Sequence, residues 1–141
     1  MRVFVAETDA YRQACFDIRR AVFIEEQKIP EAEEWDAYDA TCLHYLALDT
    51  SRAAGTARMI AKVSSAKIGR VAVALPYRGS GLGAKIMQAV MDDARARGFT
   101  YAELESQTYA IPFYERFGYI AEGPEYDDGS GIMHRLMRAT L

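Results

Sequence analysis

The amino-acid sequence predicts a mixed α/β (α+β) fold, in which helices pack on one central sheet. Two observations predict it. Three strand-like runs follow one another between residues 42 and 75, and helical patterns then alternate with further short strand-like runs. The 141 residues are half hydrophobic and 26% charged, which is enough for a real core. We therefore expect a single domain over residues 1–141.

The first part of the chain predicts one strand and one helix. Alternation over Met1–Ala6 indicates a short strand, and Asp9 is a suitable N-cap for the helix that follows. The helical pattern fades at Glu25 and is closed by Pro30. Residues 31–40 are highly charged and are predicted to be irregular. The apolar positions of the helix are Tyr11, Ala14, Ile18 and Val22.

Three consecutive strands and a long helix form the middle of the chain. The strands are predicted over Cys42–Leu48, Gly55–Val63 and Lys67–Leu75. The helix is predicted over Ser80–Arg97, where Gly98 provides a C-terminal stop. Its apolar face is formed by Leu82, Ile86, Ala89, Val90 and Ala94.

The last part predicts a strand, a short helix and two closing strands. The strand is Tyr101–Glu105, and the helix is Tyr109–Phe117 with Pro112 in its first turn. Tyr119–Glu122 and Ile132–Arg138 are predicted to close the sheet.

Bulk properties exclude several classes of protein. A net charge of −3 argues against a nucleic-acid binder, which normally needs a basic face. No apolar run reaches the length of a membrane span, and the N-terminus becomes polar too soon for a signal peptide. Cys15 and Cys42 have no partner at metal-binding spacing. We expect a cytoplasmic protein with two ordinary buried thiols, no metal and no membrane or nucleic-acid partner.

Negative charge is concentrated in one stretch. Residues 25–39 contain seven acids and one base, which leaves the remainder of the chain at about +3. An acidic face opposite a mildly basic one suits an anionic cofactor and a cationic or amine substrate. A solvated charged loop is the alternative interpretation.

Three glycines open the long helix. Gly79, Gly81 and Gly83 follow a strand, and the flanking Arg78 and Lys85 add positive charge. A helix N-terminus offers unpaired N–H groups and a positive dipole end, and glycine lets a phosphate approach them. The segment therefore predicts a phosphate cradle, with a tight turn as the structural alternative.

Two kinds of cradle fit this segment poorly. A P-loop would end in Gly-Lys-Ser/Thr, whereas this segment continues Ala84-Lys85-Ile86. The dinucleotide fingerprint G-x-G-x-x-G/A is matched by Gly79, Gly81 and Ala84. Dinucleotide domains, however, need several βαβ units, and the sequence pattern indicates only one here.

A third kind fits better. Arg78-x-x-Gly81-x-Gly83 after a Val-x-Val strand resembles motif A of the GNAT superfamily of N-acetyltransferases. Residues 107–119 resemble its motif B, with Gln107 in place of the usual Asn and Tyr119 in place of the usual Phe. The run Phe23–Gln27 with Pro30, Asp36 and Asp39 is similar to a bacterial subgroup of this family.

The resemblance implies a mostly antiparallel sheet of six to seven strands flanked by about four helices. It implies acetyl-CoA as donor, its pyrophosphate on the N–H groups of residues 79–84 and its pantetheine arm along the Val71–Val73 backbone. It also implies that Tyr114 is the general acid. The implied cofactor-binding residues are Val71, Ala72, Val73, Arg78, Gly79, Ser80, Gly81, Leu82, Gly83, Ala84, Gln107, Phe113, Tyr114 and Arg116.

The general base is less defined by the sequence. Glu26 and His134 are the first candidates, and Glu25, Glu34 and His44 are the others. Alternation in the strand also points Glu103 and Glu105 away from Ala102 and Leu104, toward an acceptor groove. Trp35 and Tyr38 could line the acceptor pocket or anchor the charged loop.

The expected function is transfer of an acetyl group from acetyl-CoA to a primary amine of a small molecule or peptide. A non-catalytic acyl-CoA-binding or sensing module on the same fold is one alternative. A dinucleotide-binding fragment is another. A homodimer formed through sheet edges is an oligomeric state that the sequence allows.

Overall fold

The computed structural model describes all 141 residues, and a seven-stranded sheet runs through it. The strands lie in the order β1-β2-β3-β4-β5-β7-β6. Every neighbouring pair is antiparallel except β4 and β5, which are parallel. Their bounds are β1 Arg2–Val5, β2 Leu43–Asp49, β3 Arg52–Ala61, β4 Ser65–Val73, β5 Tyr101–Gln107, β6 Ile120–Asp127 and β7 Met133–Thr140.

Four α-helices accompany the sheet: α1 Asp9–Arg19, α2 Glu31–Glu34, α3 Leu82–Ala96 and α4 Ile111–Glu115. The predicted mixed, mostly antiparallel sheet with about four helices is thus confirmed. The predicted element bounds differ from the observed ones by a few residues, as is usual where helix and strand ends fray. The largest differences are in β6, which runs to Asp127, and in the last helix, which begins with a 3₁₀ turn at Thr108–Ala110.

The region after the first helix differs from the prediction. Thr8, not Asp9, is the N-cap, since its hydroxyl accepts from the Tyr11 N–H at 3.1 Å. The helical segment ends at Glu26, within one residue of the predicted end, but its last part, Arg20–Glu26, is a π-helix. Residues 31–40 are not irregular, because α2 is followed by a 3₁₀ helix at Ala37–Ala40.

The core has one layer on each face of the sheet. On one face, α3 buries Ile86, Met87 and Val90 against the strands. On the other face, α1 and the π-helix pack Ile18 and Val22 into a smaller cluster. Burying a side chain of this size contributes roughly 1.5–3 kcal/mol. No helix in the structure has both the length and the apolar character of a membrane span.

Candidate active site

Strands β4 and β5 separate halfway along their length. They pair only over Ser65–Lys67 and Tyr101–Glu103, although β4 continues to Val73 and β5 to Gln107. A bulge at Arg70, whose φ is +52°, coincides with the shift in register between β3 and β4. The separated halves leave backbone N–H and C=O groups facing a gap, to which an extended chain could add as a strand.

The glycine segment lies at one end of this gap. Gly79 and Gly81 have φ of +78° and +83°, which an L side chain rarely adopts, and a Cβ at either would point into open space. The amides of Leu82, Gly83 and Ala84 precede the bond from Lys85 N to Gly81 O and have no helical partner. These residues line a cavity of about 280 Å³, which also includes Val73.

The side chains around the cradle divide into those that face it and those that do not. Arg78, Phe113 and Arg116 line the same cavity, and the Phe113 ring would lie 3.3 Å from a Cβ on Gly83. The Ser80 hydroxyl instead donates to the Tyr77 carbonyl, and Lys85 donates to the Met1 carbonyl at 2.9 Å. The expected charge of Lys85 is therefore directed away from the cradle.

A larger cavity of about 470 Å³ adjoins the other part of the gap. Val71 and Gln107 line it from the two separated strands, and Tyr114 lines it from α4. Trp35 and Tyr38 also line it, so these aromatic residues form part of its wall. Ala72, between the two valines, is buried in the opposite core layer, so only its backbone can serve a ligand in the gap.

Tyr114 is a phenol that stays protonated. Burial raises the pKa of Tyr114 to about 12, and the neighbouring Tyr109 adds to the shift. Neither cause is a hydrogen bond to the hydroxyl, so its proton remains available. A protonated hydroxyl in the larger cavity has the chemistry of a proton donor.

His134 also lines the larger cavity. Its Nδ1 lies 2.6 Å from the Ile132 carbonyl oxygen, which can only accept, so Nδ1 carries a proton. Nε2 is then the basic nitrogen, and it lies 3.5 Å from the Asp128 carboxylate. After taking up a proton, Nε2 would face a carboxylate that stabilises the imidazolium.

The other candidate bases are placed differently. Glu26 lies outside the larger cavity, where its carboxylate binds Arg78 at the cradle. A carboxylate held there is poorly placed to take a proton from an acceptor amine. His44 does not line the cavity either. Its Nε2 bonds to the Asp39 carbonyl, and burial lowers its pKa. Glu25 is exposed and lies outside the cavity.

The two acids of β5 have separate environments. Glu103 forms ion pairs with Lys62 and Arg138 and does not line the larger cavity, contrary to the prediction from alternation. Glu105 does line it and lies 3.4 Å from Lys67.

The acidic stretch is largely neutralised by arginine. Arg19, only 1% exposed, binds Glu34 and Asp39. Arg58 binds Asp36 and Asp39, and Arg70 binds Glu34 and Asp36. Outside this cluster, Glu31 pairs with Arg20 and Glu26 with Arg78, which leaves Glu25 and Glu33 outside these ion pairs. The expected acidic face is thus replaced by an ion-pair network that fixes residues 31–40 as a wall of the larger cavity.

Within this network, burial has the largest effect on the pKa of Glu34. Burial raises the pKa of Glu34, although the charges of Arg70 and Arg19 oppose the shift. Both neighbouring guanidiniums contact the same carboxylate oxygen. Glu34 is therefore anchored by ion pairs within the wall and is a weaker candidate for the base than His134.

Asp39, Cys42 and His44 bring one potential metal ligand each within 4.8 Å of one another. The Asp39 carboxylate is already bound by Arg19 and Arg58. Burial raises the pKa of the Cys42 thiol to about 11, which keeps it protonated. The Asp39 carboxylate is thus engaged by two guanidiniums and the thiol is protonated, although His44 Nδ1 is buried without a hydrogen-bond partner. Cys15 is fully buried in the core, as expected, whereas Cys42 is only partly buried, contrary to the prediction.

Two contacts of the site were not predicted from the sequence, because each joins residues that are apart in the chain. Asp128 follows the end of β6 in a turn, and only the fold brings it beside His134. Gln27 accepts a hydrogen bond at 2.7 Å from Gln107, which is 80 residues away in the chain. The bulge at Arg70 was not predicted either, because nothing in the sequence of this strand marks it.

The family model for the acetyltransferase (GNAT) family matches residues 12–119, and the chain belongs to this family. The YyaT protein of Bacillus subtilis is 36% identical over 133 residues, which are 92% of this chain and 89% of that protein. An acyl-CoA N-acyltransferase from Pseudomonas aeruginosa has 26% identity and a TM-score of 0.88, with 98% of each chain covered. An aminoglycoside 6′-N-acetyltransferase complexed with coenzyme A shares the fold at a TM-score of 0.75 and 14% identity, covering 99% of this chain and 97% of that one.

Proposed function

We propose that this protein transfers an acetyl group from acetyl-CoA to a primary amine of a small molecule or peptide. The observation that carries the proposal is the gap between β4 and β5. It joins a cradle of unpaired N–H groups at one end to the cavity of Tyr114 and His134 at the other.

The residues present fit the donor. Gly79 and Gly81 adopt left-handed backbone conformations and leave the space where a Cβ would be, as a bound pyrophosphate requires. The part of β4 beyond Lys67, which includes Val71 and Val73, does not pair with β5 and offers a strand edge to the pantetheine arm. The Val73 carbonyl at its end already accepts from the Arg78 Nε. When bound, acetyl-CoA supplies an activated acetyl thioester.

The chain then has two protons to manage. In the proposal, His134 takes a proton at Nε2 from the acceptor ammonium, and Asp128 stabilises the imidazolium. Tyr114 holds a proton on its phenolic oxygen and delivers it to the departing thiolate, and it is reprotonated by the proton that the acetylated nitrogen loses as the amide forms. A backbone N–H near Val71–Val73 would polarise the acetyl carbonyl as negative charge develops on it. Direct attack by the amine needs no nucleophilic side chain.

A thiol-release assay with acetyl-CoA over a panel of amines tests the proposal. The panel contains polyamines, amino sugars and peptides with free N-termini, and a no-amine reaction is the control. Amine-dependent thiol release that falls in His134→Gln supports the proposal. Binding of CoA without acetylation of any amine would favour the acyl-CoA-sensing alternative, and binding of NAD without CoA would favour the dinucleotide one.

A further inference from the structure

Two glutamine side chains meet at the larger cavity. The Gln107 Nε2 donates to the Gln27 Oε1 at 2.7 Å, and both residues line the cavity. Gln107 is the last residue of β5, and Gln27 directly follows the π-helix. The bond therefore ties the N-terminal helical region to one side of the gap between β4 and β5.

The preceding residue reaches the other side of that gap. Glu26 binds Arg78, which follows β4 and lines the cradle. The consecutive side chains of Glu26 and Gln27 thus contact both borders of the groove. These contacts lie along the proposed path of the cofactor, where they can influence its binding.

The local backbone fixes the direction of these side chains. The Gln27 N–H bonds to the Val22 carbonyl at 3.0 Å, in the wide turn of the π-helix, and Lys28 ends the helix with φ of +60°. π-helical turns in proteins occur frequently at functional sites. The unusual turn therefore has a use here, since it directs residues 26 and 27 to the groove.

We propose that Gln27 is a positioning residue for the pantetheine arm of CoA, acting through Gln107. The inference rests on the proposed function. The bond to Gln27 uses one N–H of the Gln107 amide and leaves its carbonyl oxygen and second N–H for a ligand. An amide held in one orientation loses less entropy when it binds the arm, so affinity increases.

This role also accounts for the residue type at position 107. The motif that residues 107–119 resemble has Asn at this position, and Asn is one methylene shorter than Gln. From the same β5 backbone, an Asn amide would end one methylene short of the Nε2 that now donates to Gln27 at 2.7 Å. The departure from the motif and the Gln27 contact thus form one paired feature of this chain.

Isothermal titration with CoA tests the proposal in Gln27→Met, which keeps the side-chain size and removes the acceptor. We expect the Kd for CoA to rise about five- to tenfold, the loss of one hydrogen bond, while kcat changes less than about twofold. Gln27→Glu keeps an acceptor oxygen and should restore the Kd to within about twofold. Binding of 3′,5′-ADP, which lacks the arm, should be the same in all variants.

Gln107→Asn supplies the second arm of the test. Because this substitution shortens the side chain so that it no longer reaches Gln27, adding Gln27→Met in that background should change the Kd no further. Additive effects, or an unchanged Kd in Gln27→Met, would overturn the role of Gln27 while leaving the proposed function intact. A wild-type protein that binds no CoA would overturn both. Equal loss of 3′,5′-ADP and CoA binding would show a structural role and also overturn the inference.

Discussion

Arg78 donates through both terminal nitrogens of its guanidinium to the carboxylate of Glu26, at 2.5 and 2.9 Å. Its Nε donates to the Val73 carbonyl at 2.9 Å. All three nitrogens of this cradle arginine are therefore engaged within the chain. An anion that enters the cradle must share Arg78 with an internal carboxylate or displace it.

Glu26→Gln is therefore expected to tighten CoA binding. The Glu26–Arg78 pair is partly exposed, and such pairs contribute little, so the Kd should fall by about two- to fivefold. Titration of CoA into both proteins at low and at physiological salt measures this change in Kd. Glu25→Gln, the same charge change one residue away, is the matched control. A loss of kcat of about 100-fold in Glu26→Gln would instead support Glu26 as the base, in the range expected for a proton-transfer residue.

Tyr114→Phe is expected to lower kcat by roughly 10²–10⁴, because the proton on the departing sulfur then has no donor. The Kd for CoA should change little, since the ring is kept. Single-turnover thiol release and CoA titration separate the two effects. Turnover equal to that of the wild type would rule out Tyr114 as the acid.

The free energy of unfolding is expected to fall between about pH 4 and pH 2 as Asp39 is protonated. Burial alone would raise the pKa of Asp39, but Arg19, Arg58 and the Asp36 amide lower it from 3.8 to about 2. A lowered pKa stabilises the folded state above the unfolded value, and protonation removes that contribution of about 2 kcal/mol. Glu34, whose pKa is raised by burial, acts in the opposite direction.

Urea unfolding from pH 7 to pH 2 measures this dependence. Asp39→Asn should be less stable at pH 7 and should show a shallower fall below pH 4 than the wild type. Asp9→Asn removes an exposed carboxylate and should leave the slope unchanged. An Asp39→Asn protein with the wild-type slope would mean that another acid carries the effect.

The fold was predictable because its signals are local. Periodicity identified β2 to β5 and α3, and glycine at residues 79, 81 and 83 identified the helix start. The π-helix was missed because its widened turn has the same apolar spacing as an α-helix over so few residues. Residues 31–40 were missed because their order comes from buried ion pairs with Arg19, Arg58 and Arg70, which only the fold brings together.

The site was predictable only where one segment carries it. The glycine segment and Tyr114 lie within contiguous motifs, so both were predicted as site residues. The Glu26–Arg78 and Gln27–Gln107 contacts join residues 52 and 80 positions apart. Such pairs depend on the arrangement of strands, which local patterns do not reveal. Glu26 was predicted as a candidate base from its charge, whereas in the structure its carboxylate binds Arg78 of the cradle.

Tyr119→Phe is expected to stabilise the protein by about 1–2 kcal/mol. Tyr119 is 2% exposed, and its hydroxyl has no hydrogen-bond partner although it is buried. Phe is also the residue that the motif carries at this position, so the ring fits without the hydroxyl. Tyr45→Phe is the matched control with the opposite sign, because the Tyr45 hydroxyl donates to Asp93 at 2.5 Å. Thermal and urea unfolding should rank Tyr119→Phe above the wild type and Tyr45→Phe below it. If Tyr119→Phe is destabilised, the hydroxyl has a partner, such as a buried water, that offsets its burial.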